Sequence, residues 1–202
     1  MLARFREMHA GMSDSDFFNQ PGIGFLREAW AAAKFGDVRC AESVRLVPAD
    51  AQWPDFEIQL GGICSSWEFT EAQVPGRSRG QEYAERAKRR AAGGSDSRAD
   101  PVEDWIKRAD SAPEAMRAAA GGKAAKGYSA KAGLLILLTL SEYGIRQTQI
   151  ESCFPVETEV AKDAFSEVWV LWKDCAYLTW ENGKAATQKL VPAHRESPLF
   201  DV

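Results

Sequence analysis

Residues 54–72 read PDFEIQLGGICSSWEFTEA, and this stretch decides the fold that the sequence predicts. Apolar and polar residues alternate on both sides of the pair Gly61 and Gly62, which is typical of two strands joined by a tight turn. Residues 40–48, just upstream, alternate in the same way. The sequence therefore predicts a β-meander of three strands over 40–48, 55–62 and 63–72.

The segments on either side of the meander are typical of helices. Over 25–35, Phe25, Ala29, Ala32 and Ala33 fall on one helical face, and Gly36 follows as the expected stop. Downstream, 79–92 is rich in Ala, Glu, Lys and Arg, which predicts an exposed helix. The range 102–126 has helical spacing too. Because it contains Pro113 and the pair Gly121 and Gly122, it predicts one broken helix or two short ones.

The C-terminal part adds strands and a further helix. Residues 133–144, GLLILLTLSEYG, are apolar on both faces, which favours a strand in the middle of a sheet. Residues 146–165 predict a helix interrupted near Pro155, and 166–183 predict an aromatic-rich hairpin. The order of elements predicts a mixed α/β fold.

Length and composition fit one globular domain. The chain has 202 residues, of which 45% are hydrophobic and 27% are charged. These values exclude a disordered chain, a collagen-like chain and a disulfide scaffold. We expect a single domain with a core over about 25–140, a C-terminal appendage over about 146–202 and a flexible joint over about 93–101.

The sequence predicts neither a membrane-spanning segment, nor an export signal, nor a zinc site. The longest apolar run, 134–138, is far shorter than the roughly 20 residues that span a bilayer, and the first residues do not form a signal peptide. We expect a cytoplasmic protein without a membrane partner. The spacing of the cysteines and the presence of only two histidines argue against zinc. The cysteines are Cys40, Cys64, Cys153 and Cys175, and the histidines are His9 and His194.

Charge is distributed unevenly along the chain. The net charge is −4, yet residues 77–126 carry a net charge of +4 and the remainder carries −8. Such a basic segment can face a phosphate backbone, which makes nucleic acid a candidate partner. The alternative is that these residues form an ordinary solvated helical face.

Two carboxylates are expected to meet across the predicted hairpin. Asp55 begins the second strand and Glu68 lies inside the third, and both are equally far from the Gly61-Gly62 turn. Neighbouring carboxylates repel each other unless a cation lies between them. Mg²⁺ commonly takes one or two protein carboxylates and keeps positions for waters and a phosphate. The pair therefore predicts a metal site for Mg²⁺ or Mn²⁺.

This pattern resembles the PD-(D/E)XK nuclease superfamily, the restriction-endonuclease-like fold. Pro54-Asp55 followed by Glu68 on the next strand is similar to the family motif, and Glu28 resembles the acidic residue of its first helix. The order of helix, three strands, helices and strand is similar as well. The resemblance implies a metal-dependent nuclease that cleaves DNA or RNA.

The chain departs from the family motif at one position. Thr70 stands where the resemblance implies a lysine that orients the attacking water and stabilises transition-state charge. Either a replacement comes from the helices that follow, with Gln81, Lys88, Lys123 and Lys126 as the candidates, or the site binds metal without efficient cleavage.

Other interpretations of the same residues remain open. Asp55 can simply begin a strand, Glu68 can face solvent, and Glu28 can be an ordinary exposed glutamate. The chain would then be a non-catalytic scaffold or binding protein with a nuclease-like fold. A third alternative is a module that binds a protein partner through the aromatic hairpin, which requires its Trp residues to be exposed. The oligomeric state is not predicted.

Overall fold

The strands of the described residues form one mixed sheet, in which spatial order follows chain order. The computed structural model describes residues 25–48, 53–73, 85, 88, 89, 91–93, 102–128, 132–140 and 146–192. The strands are β1 (Ser43–Leu46), β2 (Phe56–Leu60), β3 (Ile63–Ala72), β4 (Gly133–Leu138), β5 (Glu167–Trp172), β6 (Cys175–Glu181) and β7 (Lys184–Leu190). The helices are α1 (Phe25–Val38), α2 (Val102–Ala124) and α3 (Gln147–Thr158), and a 3-10 turn (Glu159–Ala161) follows α3.

The middle of the sheet is parallel and both sides are antiparallel. Strand β4 pairs in parallel with β3 and with β5, whereas the outer neighbours pair antiparallel. Parallel neighbours need crossover connections, and the segments containing α2 and α3 provide them. The predicted mixed α/β class is confirmed. The C-terminal strands β5, β6 and β7 continue the same sheet as β1 to β4.

Strand β4 is buried on both faces, as its composition predicts. Leu134 and Ile136 pack on one side with Met116 of α2 and with α3. Leu135 packs on the other side with Phe35 of α1. Alternate residues of a strand point to opposite faces, so this one apolar segment contributes to two cores. The predicted central strand is confirmed.

The aromatic residues of the C-terminal hairpin belong mainly to the core. Trp169 and Trp172 on β5 are buried on opposite faces of the sheet. Trp180 on β6 is half-buried, and its indole N–H donates a hydrogen bond to the carbonyl of Pro155 at 2.9 Å. The exposed Trp residues that a protein-binding hairpin requires are therefore not found in β5 and β6.

Helix α1 extends beyond its predicted end, so the role predicted for Gly36 was wrong. A Cβ atom on Gly36 would lie 2.2 Å from Cγ2 of Val44 on β1. The missing side chain therefore permits close helix-to-strand packing and does not end the helix. Phe25, which the spacing places on the same face as the buried Ala29, is 42% exposed, and Leu26 is buried.

Helices α2 and α3 are also more continuous than the sequence predicts. Helix α2 runs unbroken through Pro113 and the two glycines, and α3 runs through Pro155. Buried Ala112 and Met116 flank Pro113 and anchor α2 on the sheet. Tertiary packing of this kind outweighs the local preference of single residues.

Strand β7 was not predicted. Its sequence KAATQKL has no alternation of large apolar residues, and most of its residues are exposed. An edge strand that gains little from burial leaves a weak pattern in the sequence. Strand β1 is also shorter than predicted, and Cys40, at the predicted start, has a φ of 54°, which extended strands do not adopt.

Several predictions fall largely outside the described residues. The predicted helix over 79–92 and the joint over 93–101 are described only at 85, 88, 89 and 91–93.

None of the described helices is long and apolar enough to cross a membrane. The four cysteines are free thiols.

Replacement of Gly133 by alanine should destabilise the fold. A Cβ atom there would lie 2.4 Å from two ring atoms of Trp67, which is only 2% exposed and packs against Phe35 and Phe56. Overpacking of this kind costs about 1–3 kcal/mol. We expect urea denaturation to show this loss for Gly133→Ala.

A matched glycine provides the control. Gly122 lies in α2, and no heavy atom lies within 4 Å of a Cβ built on it. Gly122→Ala should therefore raise stability by up to about 1 kcal/mol through helix propensity. Equal stability of wild type and Gly133→Ala would contradict the packing described for Trp67.

Candidate active site

The register of the β2–β3 hairpin places Asp55 opposite Glu68. Phe56 pairs with Trp67, and the backbone N–H of Asp55 donates to the carbonyl of Trp67 at 3.0 Å. The Asp55 carboxylate in turn accepts a hydrogen bond at Oδ2 from the backbone N–H of Phe69 at 2.7 Å. Asp55 is thereby fixed by both its backbone and its side chain immediately before β2.

Glu68 and Asp55 converge on one ammonium group. Glu68 is only 1% exposed, which is unusual for a glutamate. Its Oε2 atom accepts a hydrogen bond from Nζ of Lys123 at 2.5 Å. The same Nζ lies 3.0 Å from Oδ2 of Asp55. The structure therefore brings the two carboxylates together at a single cation, here the side chain of Lys123.

Lys123 reaches the carboxylates from the last turn of α2. The helix is anchored by Met116 and Ala120, which are buried against the sheet on the side of Ile136. Residues three and four apart lie on one helical face, so the anchored residue Ala120 sets the direction in which Lys123 extends. A cation near a helix C-terminus is also favoured by the helix dipole.

A second acidic group lies near this pair. Glu28, in the first turn of α1, interacts electrostatically with Asp55 and Lys123, although no hydrogen bond joins it to them. Glu71 lies on the other face of β3 from Glu68. It forms an ion pair with Arg27 at 3.4 Å and accepts a hydrogen bond from Gln73 at 3.1 Å. Glu71 is thus engaged away from Lys123.

Burial and neighbouring charges shift the pKa values of Glu28, Glu68 and Lys123 upwards. Burial raises the pKa of Glu28, and the negative charge of Asp55 raises it further. Burial also raises the pKa of Glu68, against the opposing effect of the hydrogen bond from Lys123. Burial alone would lower the pKa of Lys123, but the hydrogen bond to Glu68 and the charge of Asp55 raise it. The ammonium form of Lys123 is therefore favoured.

The residues fit a divalent cation in two respects. The Oε1 atom of Glu68 is buried and has no hydrogen-bond partner of good geometry among the described residues. The two carboxylates of Asp55 and Glu68 share the single ammonium of Lys123, which leaves negative charge to be neutralised. Within the described residues, no group of three or more His, Cys, Asp or Glu side chains could hold a metal ion. The donor set is thus the two carboxylates, which suits Mg²⁺ with water ligands.

The other predicted site residues are distributed differently. Thr70 is half-buried, lies two residues beyond Glu68 on the same face of β3, and pairs with Ile136 on β4. Lys88 is exposed, and no contact joins its side chain to the carboxylates in the part of the chain that is described. Gln81 lies outside the described residues. Among the described candidates for the missing cation, Lys123 is thus the one in contact with the carboxylates.

One residue of the site was not found from the sequence. Tyr128 has its ring centroid 5.5 Å from Nζ of Lys123, and its hydroxyl is close enough to Glu68 to affect its pKa. The available signal was an isolated aromatic residue after Gly127 in the stretch AAKGYSAKAG, five positions beyond Lys123. This spacing of five residues points to a contact between Tyr128 and Lys123 only when the position of the end of α2 is known.

The pKa of Glu28 predicts a pH dependence of stability. Because its pKa is raised in the folded protein, folding becomes less favourable as pH rises above about 4.5, the ordinary value. Glu28→Gln removes this effect. We therefore expect the variant to gain stability relative to wild type as pH rises from 4.5 towards 7, measured by urea denaturation in metal-free buffer.

Glu181→Gln, at an exposed position of β6, controls for the loss of one negative charge. A difference between Glu28→Gln and wild type that stays constant across this pH range would contradict the burial and repulsion described for Glu28.

Comparison of the chain with models of protein families, with curated proteins and with solved structures found no match. Function is therefore inferred from Asp55, Glu68, Lys123 and their surroundings.

Proposed function

We propose that this protein is a metal-dependent phosphodiester hydrolase that acts on nucleic acid. The observation that carries the proposal is the convergence of Asp55, Glu68 and Lys123 at one point. The PD-(D/E)XK nucleases that the sequence resembles are characterised by two acidic residues and a lysine. In this proposal Lys123 of α2 would take the role of that lysine, since Thr70 occupies its place in the motif.

Each side chain has a defined task in this proposal. Asp55 and Glu68 would hold Mg²⁺ or Mn²⁺, and the buried, unpaired Oε1 of Glu68 supplies a free lone pair for this purpose. When bound, such an ion polarises the phosphodiester and activates a water. Lys123 places a positive charge beside the reacting phosphate, where it stabilises charge that develops on the phosphoryl oxygens. Glu28 would hold a water at the edge of the site.

The charge distribution supports a polyanionic substrate. The segment 77–126 carries a net charge of +4, and the part of it that lies beside the acidic site is the end of α2 with Lys123, followed by Lys126. Positive charge beside an acidic metal site attracts the phosphate backbone without depending on base sequence. Lys126 is exposed and lies three residues beyond Lys123.

A specific observation favours a second candidate, a non-catalytic protein of this fold. The ammonium of Lys123 already lies between the two carboxylates and neutralises part of their charge, as a metal ion would. A structural ion pair of this kind needs no ligand. The two candidates differ in whether the site binds a divalent cation, which can be measured directly.

Divalent metal should stabilise the folded protein. A ligand that binds only the native state contributes roughly 2.7 kcal/mol at a hundred times its dissociation constant. We expect thermal unfolding to shift upwards with Mg²⁺ or Mn²⁺, and Asp55→Asn to abolish the shift. Asp110→Asn is the matched control, because Asp110 is exposed and pairs with Arg146. An unchanged melting temperature in the wild type would favour the non-catalytic protein.

Cleavage should depend on Lys123. Lys123→Ala is expected to lower the rate by ~10² or more, because one charge-stabilising group is lost. Metal affinity should stay equal or rise, since a positive charge next to the metal has been removed. The assay is metal-dependent cleavage of single- and double-stranded DNA and RNA.

Two further variants sharpen the assay. Lys184→Ala is the matched control, because Lys184 is an exposed lysine of β7, four strands away from β3 in the sheet. Thr70→Lys in the Lys123→Ala background should restore part of the lost activity, because position 70 lies on the same face of β3 as Glu68. If neither the wild type nor any variant cleaves these substrates under varied metals and pH, the enzymatic proposal is wrong.

A further inference from the structure

The chain turns back on itself directly after α2. Gly127 has a φ of +66°, a left-handed conformation that glycine adopts easily. The N–H of Lys126 donates to the carbonyl of Lys123 at 3.1 Å, and the N–H of Gly127 donates to that of Ala124 at 3.3 Å. This turn brings the following residue, Tyr128, back against the end of the helix.

The ring of Tyr128 lies next to the ammonium group of Lys123. Its centroid is 5.5 Å from Nζ, which is within the range of a cation–π interaction. The ring also packs at 6.0 Å against the ring of Phe165, which is 3% exposed. The ring is therefore packed against the core at Phe165, and the ammonium group of Lys123 lies over its π-electron face.

The hydroxyl of Tyr128 lies near Glu68. Burial raises the pKa of Glu68, and the hydrogen bond from Lys123 and the nearby hydroxyl of Tyr128 oppose that effect. The ring of Tyr128 thus lies beside Lys123, and its hydroxyl lies near Glu68, the partner of Lys123 in the ion pair.

We propose that Tyr128 is a positioning residue that holds the Lys123 ammonium beside Asp55 and Glu68. The long, flexible lysine side chain loses much rotational freedom in this place, so its location depends on contacts beyond the two carboxylates. The role in cleavage rests on the proposed function. The holding of Lys123 does not, because it can be measured without a substrate.

Two substitutions separate the contributions of Tyr128. Tyr128→Phe keeps the ring beside Lys123 and removes the hydroxyl. Tyr128→Leu removes both and leaves an apolar side chain against Phe165. If the ring holds the lysine, Tyr128→Phe rescues what Tyr128→Leu loses. A merely structural role would instead make both effects follow the melting temperature.

The first measurement is the ¹H–¹⁵N signal of the Lys123 ammonium in the full chain without metal, assigned by its absence in Lys123→Ala. A held, ion-paired ammonium exchanges its protons slowly with water, so the wild type and Tyr128→Phe should show the signal. Tyr128→Leu should lose it or exchange at least severalfold faster. A signal that persists unchanged in Tyr128→Leu would overturn the proposal.

A matched control exists on β6. The ring of Tyr177 lies 5.1 Å from Nζ of Lys189, and its hydroxyl donates to Glu151 at 2.8 Å. Tyr177→Leu therefore removes the same chemistry elsewhere and should leave the Lys123 signal unchanged. If Tyr128→Leu does not fold, Tyr128→Met replaces it, and the same prediction applies.

The second measurement is cleavage in Mg²⁺ or Mn²⁺. Misplacement of a catalytic group by about 1 Å can cost ~10²-fold, so Tyr128→Leu should lower kcat by about tenfold to a hundredfold with little change in KM. Tyr128→Phe should retain most of kcat. A loss confined to KM would overturn the positioning role. If the wild type cleaves nothing, the proposed function fails, while the ammonium signal still decides whether Tyr128 holds Lys123.

Discussion

The burial of β4 on both faces is the constraint on which the rest of the structure depends. A strand that is apolar on both sides must be covered twice, so α1 lies over one face of the sheet and α2 and α3 lie over the other. The helices on the second face, α2 and α3, also determine the geometry of the site. Helix α2 is pressed onto the sheet by Met116 and Ala120, and its last turn then lies where Lys123 can reach β3.

The hairpin supplies the second half of this arrangement. Its register follows from the tight turn at Gly61 and Gly62, both of which have positive φ. A shift of one residue would move Glu68 to the other face of β3, where Trp67 and Phe69 now pack. The same apolar residues that bury the sheet therefore keep Glu68 on the side of Lys123. Packing and site geometry share one cause.

Much of the sheet could be predicted from the sequence, because strand patterns and tight turns are local. The meander, the central strand, the aromatic hairpin and the pairing of Asp55 with Glu68 all follow from alternation and from a count of residues around one turn. Predictions failed where tertiary packing decided the outcome. Gly36 serves a close contact with Val44, and α2 passes through Pro113 because it is anchored on both sides.

The site was predictable to a similar extent. The two carboxylates lie in one local hairpin, so their proximity could be inferred. The residue that supplies positive charge in place of the motif lysine could only be narrowed to a few candidates, since the choice among them depends on where the end of α2 packs on the sheet. Tyr128 could not be inferred, because its position depends on the left-handed turn at Gly127 and on the support from Phe165.

The origin of the lysine has a consequence for how the site comes into existence during folding. Lys123 is 55 residues from Glu68 and 68 from Asp55 along the chain. A lysine at position 70 would have been two residues from Glu68 and present in the isolated hairpin. Contacts of long sequence separation form only after the loop-closure entropy has been overcome. The assembled group of Asp55, Glu68 and Lys123 is thus a property of the completed tertiary structure, and a hairpin that forms early carries two carboxylates without their cation.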